Sequence, residues 1–154
     1  MCWPYRRSNT NPLGYNMNMQ DTSIIEKLVP SIINVAIVLL ISSPILILKS
    51  SVLEKKLIII GLFFLYGLIF IFFNNGRDLG MILFKTYWKE HYPLIQMLIY
   101  NFLYTLSFST LFFWKFFPFD IFLFNMLVLQ LPIILLTGTT LHGFLSGGMT
   151  TVIR

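Results

Sequence analysis

The sequence predicts an all-α, polytopic membrane protein with four transmembrane helices, arranged as two hairpins that an interfacial amphipathic segment joins. Of its 154 residues, 56% are hydrophobic and only 11% are charged, whereas about a quarter of the residues in soluble domains are charged. The apolar residues form continuous runs rather than the alternating pattern of a membrane β-barrel. Because every backbone amide in lipid must be hydrogen-bonded internally, such runs predict helices.

The chain divides into a short N-terminal tail and a membrane domain. The tail, residues 1–22, carries Arg6 and Arg7, and the membrane domain occupies residues 23–154. Within the domain, KSSVLEKK interrupts the apolar sequence of the first half, and WKFFPFD interrupts that of the second. We therefore expect four spans, at about residues 28–48, 57–73, 94–113 and 119–136.

The first hairpin opens on a helix-capping signal and contains one strongly polar interior residue. Ser23, with Glu26 three residues later, matches a capping box. Asn34 lies in the apolar run of the first helix, where an amide side chain usually hydrogen-bonds a neighbouring helix. A substrate contact is the alternative role for Asn34. The second helix is almost entirely Leu, Ile and Phe, and we expect Gly61 and Gly67 to admit a close neighbouring backbone. We expect this helix to end at Asn74, Asn75 and Gly76.

The segment between the hairpins, NNGRDLGMILFKTYWKEHYP, mixes charges, glycines and aromatics. It predicts a short amphipathic helix at the membrane interface. Its apolar face comprises Met81, Ile82, Phe84 and Trp88, and its charged face comprises Lys85, Lys89 and Glu90. Arg77 and Asp78 are adjacent and form either an internal ion pair or a solvated pair. The glycines lack the GKS or GKT ending of a phosphate-binding loop, which argues against nucleotide binding.

Polar side chains recur along the first helix of the second hairpin. Gln96, Tyr100, Tyr104 and Ser107 follow helical spacing and predict a stripe that faces other protein rather than lipid. A water-filled pathway is the alternative interpretation of the same stripe. After the fourth span the chain closes on TGTTLHGFLSGGMTTVIR, in which small residues replace the leucines and predict tight docking onto another segment.

The amino-acid composition predicts the kind of membrane, and the positions of the basic residues predict the orientation. The chain has 16 Phe, and Ala36 is its single alanine, a bias typical of AT-rich bacterial or organellar genes. We expect the bacterial plasma membrane or the mitochondrial inner membrane, with both termini and the linker on the cytoplasmic or matrix side. That side would carry Arg6, Arg7, Lys27, Arg77, Lys85, Lys89 and Arg154, and the other side Lys49, Lys55, Lys56 and Lys115.

The order of these pieces resembles the RDD family, small bacterial membrane proteins named for one Arg and two Asp. EKLVPSIINVAIVLLI resembles the family's first helix, with Lys27 or Glu26 near the Arg position and Asn34 where the first Asp stands. NNGRDLGM resembles the family's GxxxG linker and retains Gly76 and Gly80. The resemblance covers roughly residues 23–153.

The closing segment LHGFLSGGMTTVI resembles the family's final His-Asp motif and retains His142, Ser146 and Gly147. Gly143 stands at the second Asp, and Met81 stands at the basic position of the linker motif. The resemblance implies a membrane protein of the kind discussed as a transporter or cation exchanger. Both signature aspartates are absent, however, which argues against that activity here.

The sequence favours a non-catalytic accessory subunit of a larger inner-membrane complex, with the respiratory chain as the expected host. No predicted span contains Asp or Glu, and ion coupling needs an ionisable group in the membrane. His91 and His142 are far apart and Cys2 is the single cysteine, so we expect no enzyme activity, metal or cofactor. We expect a lone histidine such as His142 to be a hydrogen-bonded residue at the membrane interface, with pairing to the linker as the alternative. The expected partners are the lipid bilayer and other membrane subunits, not nucleic acid. A transient assembly factor would have the same sequence features.

The alternative function is a small RDD-family transporter or ion-pathway component. In that case Asn34, Gln96, Tyr100 and Ser107 would surround a water-filled cavity.

Overall fold

The computed structural model describes residues 20–113 and 120–153, most of which are helical. The first half contains β1 (Gln20–Asp21), α1 (Ile24–Ser42), a 3₁₀ helix (Ser43–Ile47), α2 (Val52–Asn74), α3 (Leu79–Leu83) and β2 (Thr86–Trp88). The second half contains α4 (Leu94–Ser109), α5 (Ile121–Phe124), a π-helix (Asn125–Gln130), α6 (Leu131–Thr137), α7 (Leu141–Leu145) and β3 (Thr151–Ile153). Most of the predicted tail, Lys115 in the second hairpin turn and Arg154 lie outside the described residues.

Local hydrogen bonds explain where the two long helices begin and end. Ser23 caps α1 as predicted: its hydroxyl accepts from the Glu26 amide at 3.4 Å, and its own amide donates to the Glu26 carboxylate at 2.6 Å. Ser51 and Glu54 form the same capping box at the start of α2. α2 ends where Asn75 takes a φ of 50°, a left-handed conformation that asparagine tolerates at helix ends.

Two helices are long and apolar enough to cross a membrane. They are Ile24–Ile47, which joins α1 to the 3₁₀ helix, and Val52–Asn74, which is α2. Few of their residues are buried, and Ile47 and Phe73 at their ends are each 86% exposed. The helices at the third and fourth predicted spans are also apolar but shorter, Leu94–Ser109 and Ile121–Thr137. Within residues 20–113 and 120–153 there are therefore two candidate spans by length, both in the first half.

The all-α prediction is wrong in one respect, because a small antiparallel sheet joins three distant parts of the chain. β3 is the middle strand, with β1 on one side and β2 on the other. Val152 of β3 pairs with both Asp21 and Tyr87. Strands of two or three residues are too short to show a period in the sequence, so the hydrophobic pattern does not reveal them.

The predicted amphipathic helix of the linker is wrong beyond its first part. α3 ends at Leu83, and Lys85 takes a φ of 52°, which lies outside the right-handed helical region. The next three residues form β2 beside β3. Thr86, Tyr87 and Trp88 are β-branched or aromatic, which are the types that favour strands, and pairing with β3 satisfies their backbone groups.

The two halves of the chain repeat one order of elements. Each half runs through a pair of long helical segments, a five-residue helix and a three-residue strand. Asp78 caps the first short helix by accepting from the Met81 amide at 2.8 Å, and Thr140 caps the second by accepting from the Gly143 amide at 3.3 Å. The strands that follow, β2 and β3, lie side by side and antiparallel. The two halves therefore share one order of elements after β1.

Close packing between α2 and α4 joins the two halves. The Asn101 side chain of α4 lies against Gly67, where an added Cβ would fall only 1.8 Å from the Asn101 Oδ1. Asn101 also donates from Nδ2 to the Phe64 carbonyl at 3.1 Å. Gly67 thus admits a close neighbour as predicted, although the neighbour is a side chain. The prediction for Gly61 is wrong, since a Cβ there would meet no atom within 4 Å.

Candidate functional site

The candidate site is centred on Asp78, at the start of α3. Asp78 is partly buried, and its carboxylate accepts from the Met81 amide at 2.8 Å. Loss of solvation raises the pKa of Asp78 above its ordinary value of 3.8, and hydrogen bonds from Met81 and the Asn34 side chain offset part of that rise. The carboxyl group is therefore held in surroundings that favour its protonated form.

Arg77 does not accompany Asp78 into this site. Its guanidinium lies 3.8 Å from the centre of the Tyr87 ring, and its Nε donates to the Thr86 carbonyl at 3.3 Å. Both sequence-based alternatives for the Arg77–Asp78 pair, an ion pair or two solvated charges, are thus incorrect. The chain turns between these residues, so that one side chain packs on the strand β2 and the other points toward α1.

Asn34 connects three helices at this centre. Its Oδ1 accepts from the Tyr66 hydroxyl of α2 and from the Gly80 amide of α3, each at 2.9 Å. Tyr66 in turn accepts from the Leu79 amide at 3.2 Å. Asn34 is only 1% exposed and lies about 15 Å along α1 from its first residue, at 1.5 Å per residue. The start of α3 therefore reaches the middle of α1.

The close approach of α3 to α1 depends on a glycine. A Cβ on Gly80 would lie 2.3 Å from the Pro30 carbonyl oxygen of α1, well inside contact distance. Gly76 takes a φ of 76°, which lets the chain turn back from α2. The two glycines of the linker motif thus have separate local roles: one permits the turn and the other permits helix contact.

Two small cavities border Asp78. One, of about 40 Å³, is lined by polar groups that include Lys27, Asn34 and Thr139. The other, of about 30 Å³, lies toward Phe63 and Gly67. A water molecule needs roughly 10–15 Å³ of such volume, so each cavity has room for about two. Other ionisable side chains on these walls are Glu26, Tyr66, Tyr100 and Tyr104.

The structure separates the predicted polar stripe of α4 into different environments. Tyr100 and Tyr104 line the cavity beside Asp78, together with Asn34. Ser107 instead accepts from Asn125 at 2.8 Å. Gln96 lies about 16 Å from Ser107 along α4, at 1.5 Å per residue, and its amide packs against Gly147. Asn34 and Tyr100 are therefore brought together, whereas Gln96 and Ser107 are not.

His142 is buried and packs against α4 rather than against the linker, which was one proposed partner. Its ring stacks on Tyr104 with centroids 4.9 Å apart, and Tyr100 meets it edge-on at 4.7 Å. Neither ring nitrogen has a hydrogen-bond partner within the described ranges. The expectation of a hydrogen-bonded interface histidine is therefore wrong. Burial lowers the pKa of His142 to about 3, so the ring is neutral at physiological pH.

The remaining residues of the family motifs lie at the ends of the helices that surround the site. Lys27 donates to the carbonyls of Thr22 and Gly138 and so connects the start of α1 to the end of α6. Gly147 takes a φ of 103°, which permits the turn from α7 toward β3. Ser146 caps its own helix end by donating to the Gly143 carbonyl at 3.1 Å.

Sequence reasoning missed Asp78 as a buried group and missed Asn125 and Gln130. Asp78 has a recognisable signal, since an Asp two residues after a helix-ending glycine is a typical N-cap. Asn125 and Gln130 both donate to Ser107, although they are five residues apart. The π-helix brings them to one face, and a search at the period of 3.6 does not find that pair.

No protein-family model, curated protein or solved structure matches the chain. The RDD resemblance remains a prediction. It rests on six positions: Lys27, Asn34, Gly76, Gly80, His142 and Gly147.

Proposed function

We propose that this protein is a four-span membrane protein in which Asp78 takes up and releases a proton as part of a small ion-coupled transporter. The observation that carries the proposal is the placement of the Asp78 carboxyl beside Asn34, halfway along a helix long enough to span a bilayer. An ionisable group at that depth is costly and marks functional sites in membrane proteins.

Four spans follow from the repeated order of elements. α1 and α2 have the length and apolar exposure of membrane helices. α4 and the segment Ile121–Thr137 occupy the same two places in the second half, and their apolar side chains are also exposed, with Leu136 at 84%. Two halves built alike and joined side by side would both lie in the membrane, with the sheet at one face.

The proposed proton site uses neutral neighbours to adjust Asp78. The Asn34 amide and the Met81 backbone amide hydrogen-bond the charged form. The water-sized cavity beside Asp78 reaches Lys27 and Thr151 near the sheet, which gives a polar route from that side. Asn34 acts as a positioning residue, because it holds α3 and Tyr66 in place through the same side chain.

Proton flux in liposomes tests this function. We expect the wild-type protein to carry protons down a gradient, read by a trapped pH-sensitive dye, and Asp78→Asn to reduce the rate at least tenfold. Asp120→Asn is the matched control, since Asp120 also caps a helix, accepting from the amides of Phe122 and Leu123. Equal flux in the wild type and Asp78→Asn would contradict the proposal.

The accessory-subunit hypothesis keeps one supporting observation. The cavities beside Asp78 hold only a few waters, as in a sealed bundle that serves an assembly. Its premise was that no predicted span contains Asp or Glu, whereas the proton-site proposal takes its acid from the linker, because Asp78 lies beside Asn34. Co-migration with other subunits on a native gel, together with no proton flux from the purified protein, would favour this second function.

A further inference from the structure

A larger cavity, which Asp78 does not line, lies between α1 and the second half of the molecule. Its volume is about 230 Å³, and it lies between α1, α4, the π-helix, α6 and α7. Its walls are mostly apolar, with Val35, Phe108 and Ile134 among them. Ile32 also lines it and is 65% exposed, so the cavity opens on the outer surface of the bundle.

One polar side chain at this cavity has no partner. His142 is 5% exposed, borders the cavity, and has no hydrogen bond at Nδ1 or Nε2 among residues 20–113 and 120–153. Buried polar groups are nearly always hydrogen-bonded, and each exception requires an explanation. The neighbouring rings of Tyr100 and Tyr104 fix the plane of the imidazole without supplying a bond to either nitrogen.

The other polar groups nearby are already bonded to one another. Ser107 accepts from Asn125 at 2.8 Å and from Gln130 at 3.3 Å. Gln130 accepts from the Leu141 amide at 3.1 Å. The π-helix turns both amide side chains toward Ser107, and π-helical segments are frequent at functional sites. This network orients the start of α7 and leaves the imidazole as the polar group at the cavity that has no hydrogen bond among the described residues.

We propose that this cavity binds a neutral, lipid-soluble alcohol or phenol, whose hydroxyl group hydrogen-bonds His142. A neutral imidazole has one donor and one acceptor nitrogen, and a hydroxyl group can complement either. Because the cavity is apolar and opens beside the exposed Ile32, the ligand enters from the lipid side. A cavity of about 150 Å³ accepts benzene, so this larger one suits a two-ring molecule.

Two probes of the same shape test the proposal. 1-Naphthol carries a hydroxyl group, and naphthalene does not. The chain has only two histidines, so ¹⁵N-histidine labelling of the detergent-solubilised protein reports His142 directly, with the exposed His91 as the internal reference. We expect a saturable shift of the His142 ring nitrogens with 1-naphthol that exceeds the ring-current shift from naphthalene, and binding of 1-naphthol about fivefold tighter than that of naphthalene.

Two variants separate the roles of the hydroxyl contact and the opening. His142→Leu removes the fivefold preference, as measured by competition with a fluorescent probe. Ile32→Trp blocks the opening and weakens both probes, whereas Ile25→Trp, at a position 70% exposed on the same helix, leaves binding unchanged. Equal affinity for the two probes in the wild type, no saturable binding, or binding that is insensitive to Ile32→Trp would each overturn the proposal.

Discussion

The short helices α3 and α7 occupy matching places in the two halves, yet they bring opposite kinds of group inward. At α3, Asp78 meets hydrogen-bond donors, and Asn34 and Tyr66 complete a bonded network around it. At α7, His142 meets aromatic rings and no hydrogen-bond partner in the described part of the chain. One backbone arrangement thus supports a polar centre in the first half and a mostly apolar cavity in the second.

The largest expected effect comes from the glycines that let each short helix pack. Gly80→Ala should destabilise the protein by about 3 kcal/mol, because backbone atoms of Pro30 block the added methyl group. Gly143→Ala in α7 meets the Met149 carbonyl at 2.6 Å and should cost about 2 kcal/mol. Thermal unfolding in detergent gives the measurement.

Gly61→Ala is the matched control for both substitutions. It lies in α2 with open space around it and should stabilise by about 0.5–1 kcal/mol, because alanine favours a helix over glycine. If all three variants unfold alike, the close packing of the short helices does not determine stability.

The next effect concerns the hydrogen bonds that Asn34 makes to α2 and α3. Asn34→Leu removes the acceptor for the Tyr66 hydroxyl and the Gly80 amide and should cost about 2 kcal/mol. Ser31→Ala, on the same helix, removes a bond to the Lys27 carbonyl one turn away and should stay within about 0.5 kcal/mol. Equal losses, measured by chemical denaturation, would show that the bonds between helices stabilise the polar centre no more than a local bond does.

His142 makes the second half sensitive to acid. Its folded pKa of about 3 lies below the ordinary 6.5, so unfolding takes up a proton between these values and stability falls as the pH drops through that window. His142→Leu should therefore be more stable than the wild type by roughly 2 kcal/mol at pH 5, and similar at pH 7. Paired unfolding curves at both pH values test this, with His91→Leu as control.

Asp78 makes the stability of the first half depend on pH in the opposite direction, and this is the smallest of the expected effects. Its folded pKa is raised, so the native state keeps a proton that the unfolded chain loses, and stability declines as the pH rises from 3.8 through the raised value. Asp78→Asn should remove this component, while Asp120→Asn keeps it. The difference in unfolding temperature between wild type and Asp78→Asn, followed against pH, should change in the direction opposite to that of His142→Leu.

The sequence predicted those features that depend on neighbouring residues. The Ser23 capping box, the helix end at Asn75 and the polar interior position of Asn34 follow from short-range patterns. The sheet could not be predicted in this way, because Asp21 and Val152 are paired across most of the chain. Its strands are paired by the tertiary structure, and a strand of three residues is too short to show a hydrophobic period in the sequence.

A sequence pattern could not predict that the side chains of Asp78 and His142 point inward. A charged residue in a polar linker is normally assigned to solvent, and only the N-cap role of Asp78 turns it toward α1. The pairing of Asn125 and Gln130 on Ser107 depends on a π-helix, whose period differs from that of the surrounding helices. Each missed feature was decided by a local change in backbone geometry.

The middle position of β3 has a consequence for biosynthesis. β1 and β2 both bond to residues 151–153, so neither can join this sheet until the ribosome has released that stretch. We expect the newly made chain to remain open at this sheet during synthesis, and ribosome-bound chains halted before residue 151 to be cut by protease near β1 and β2.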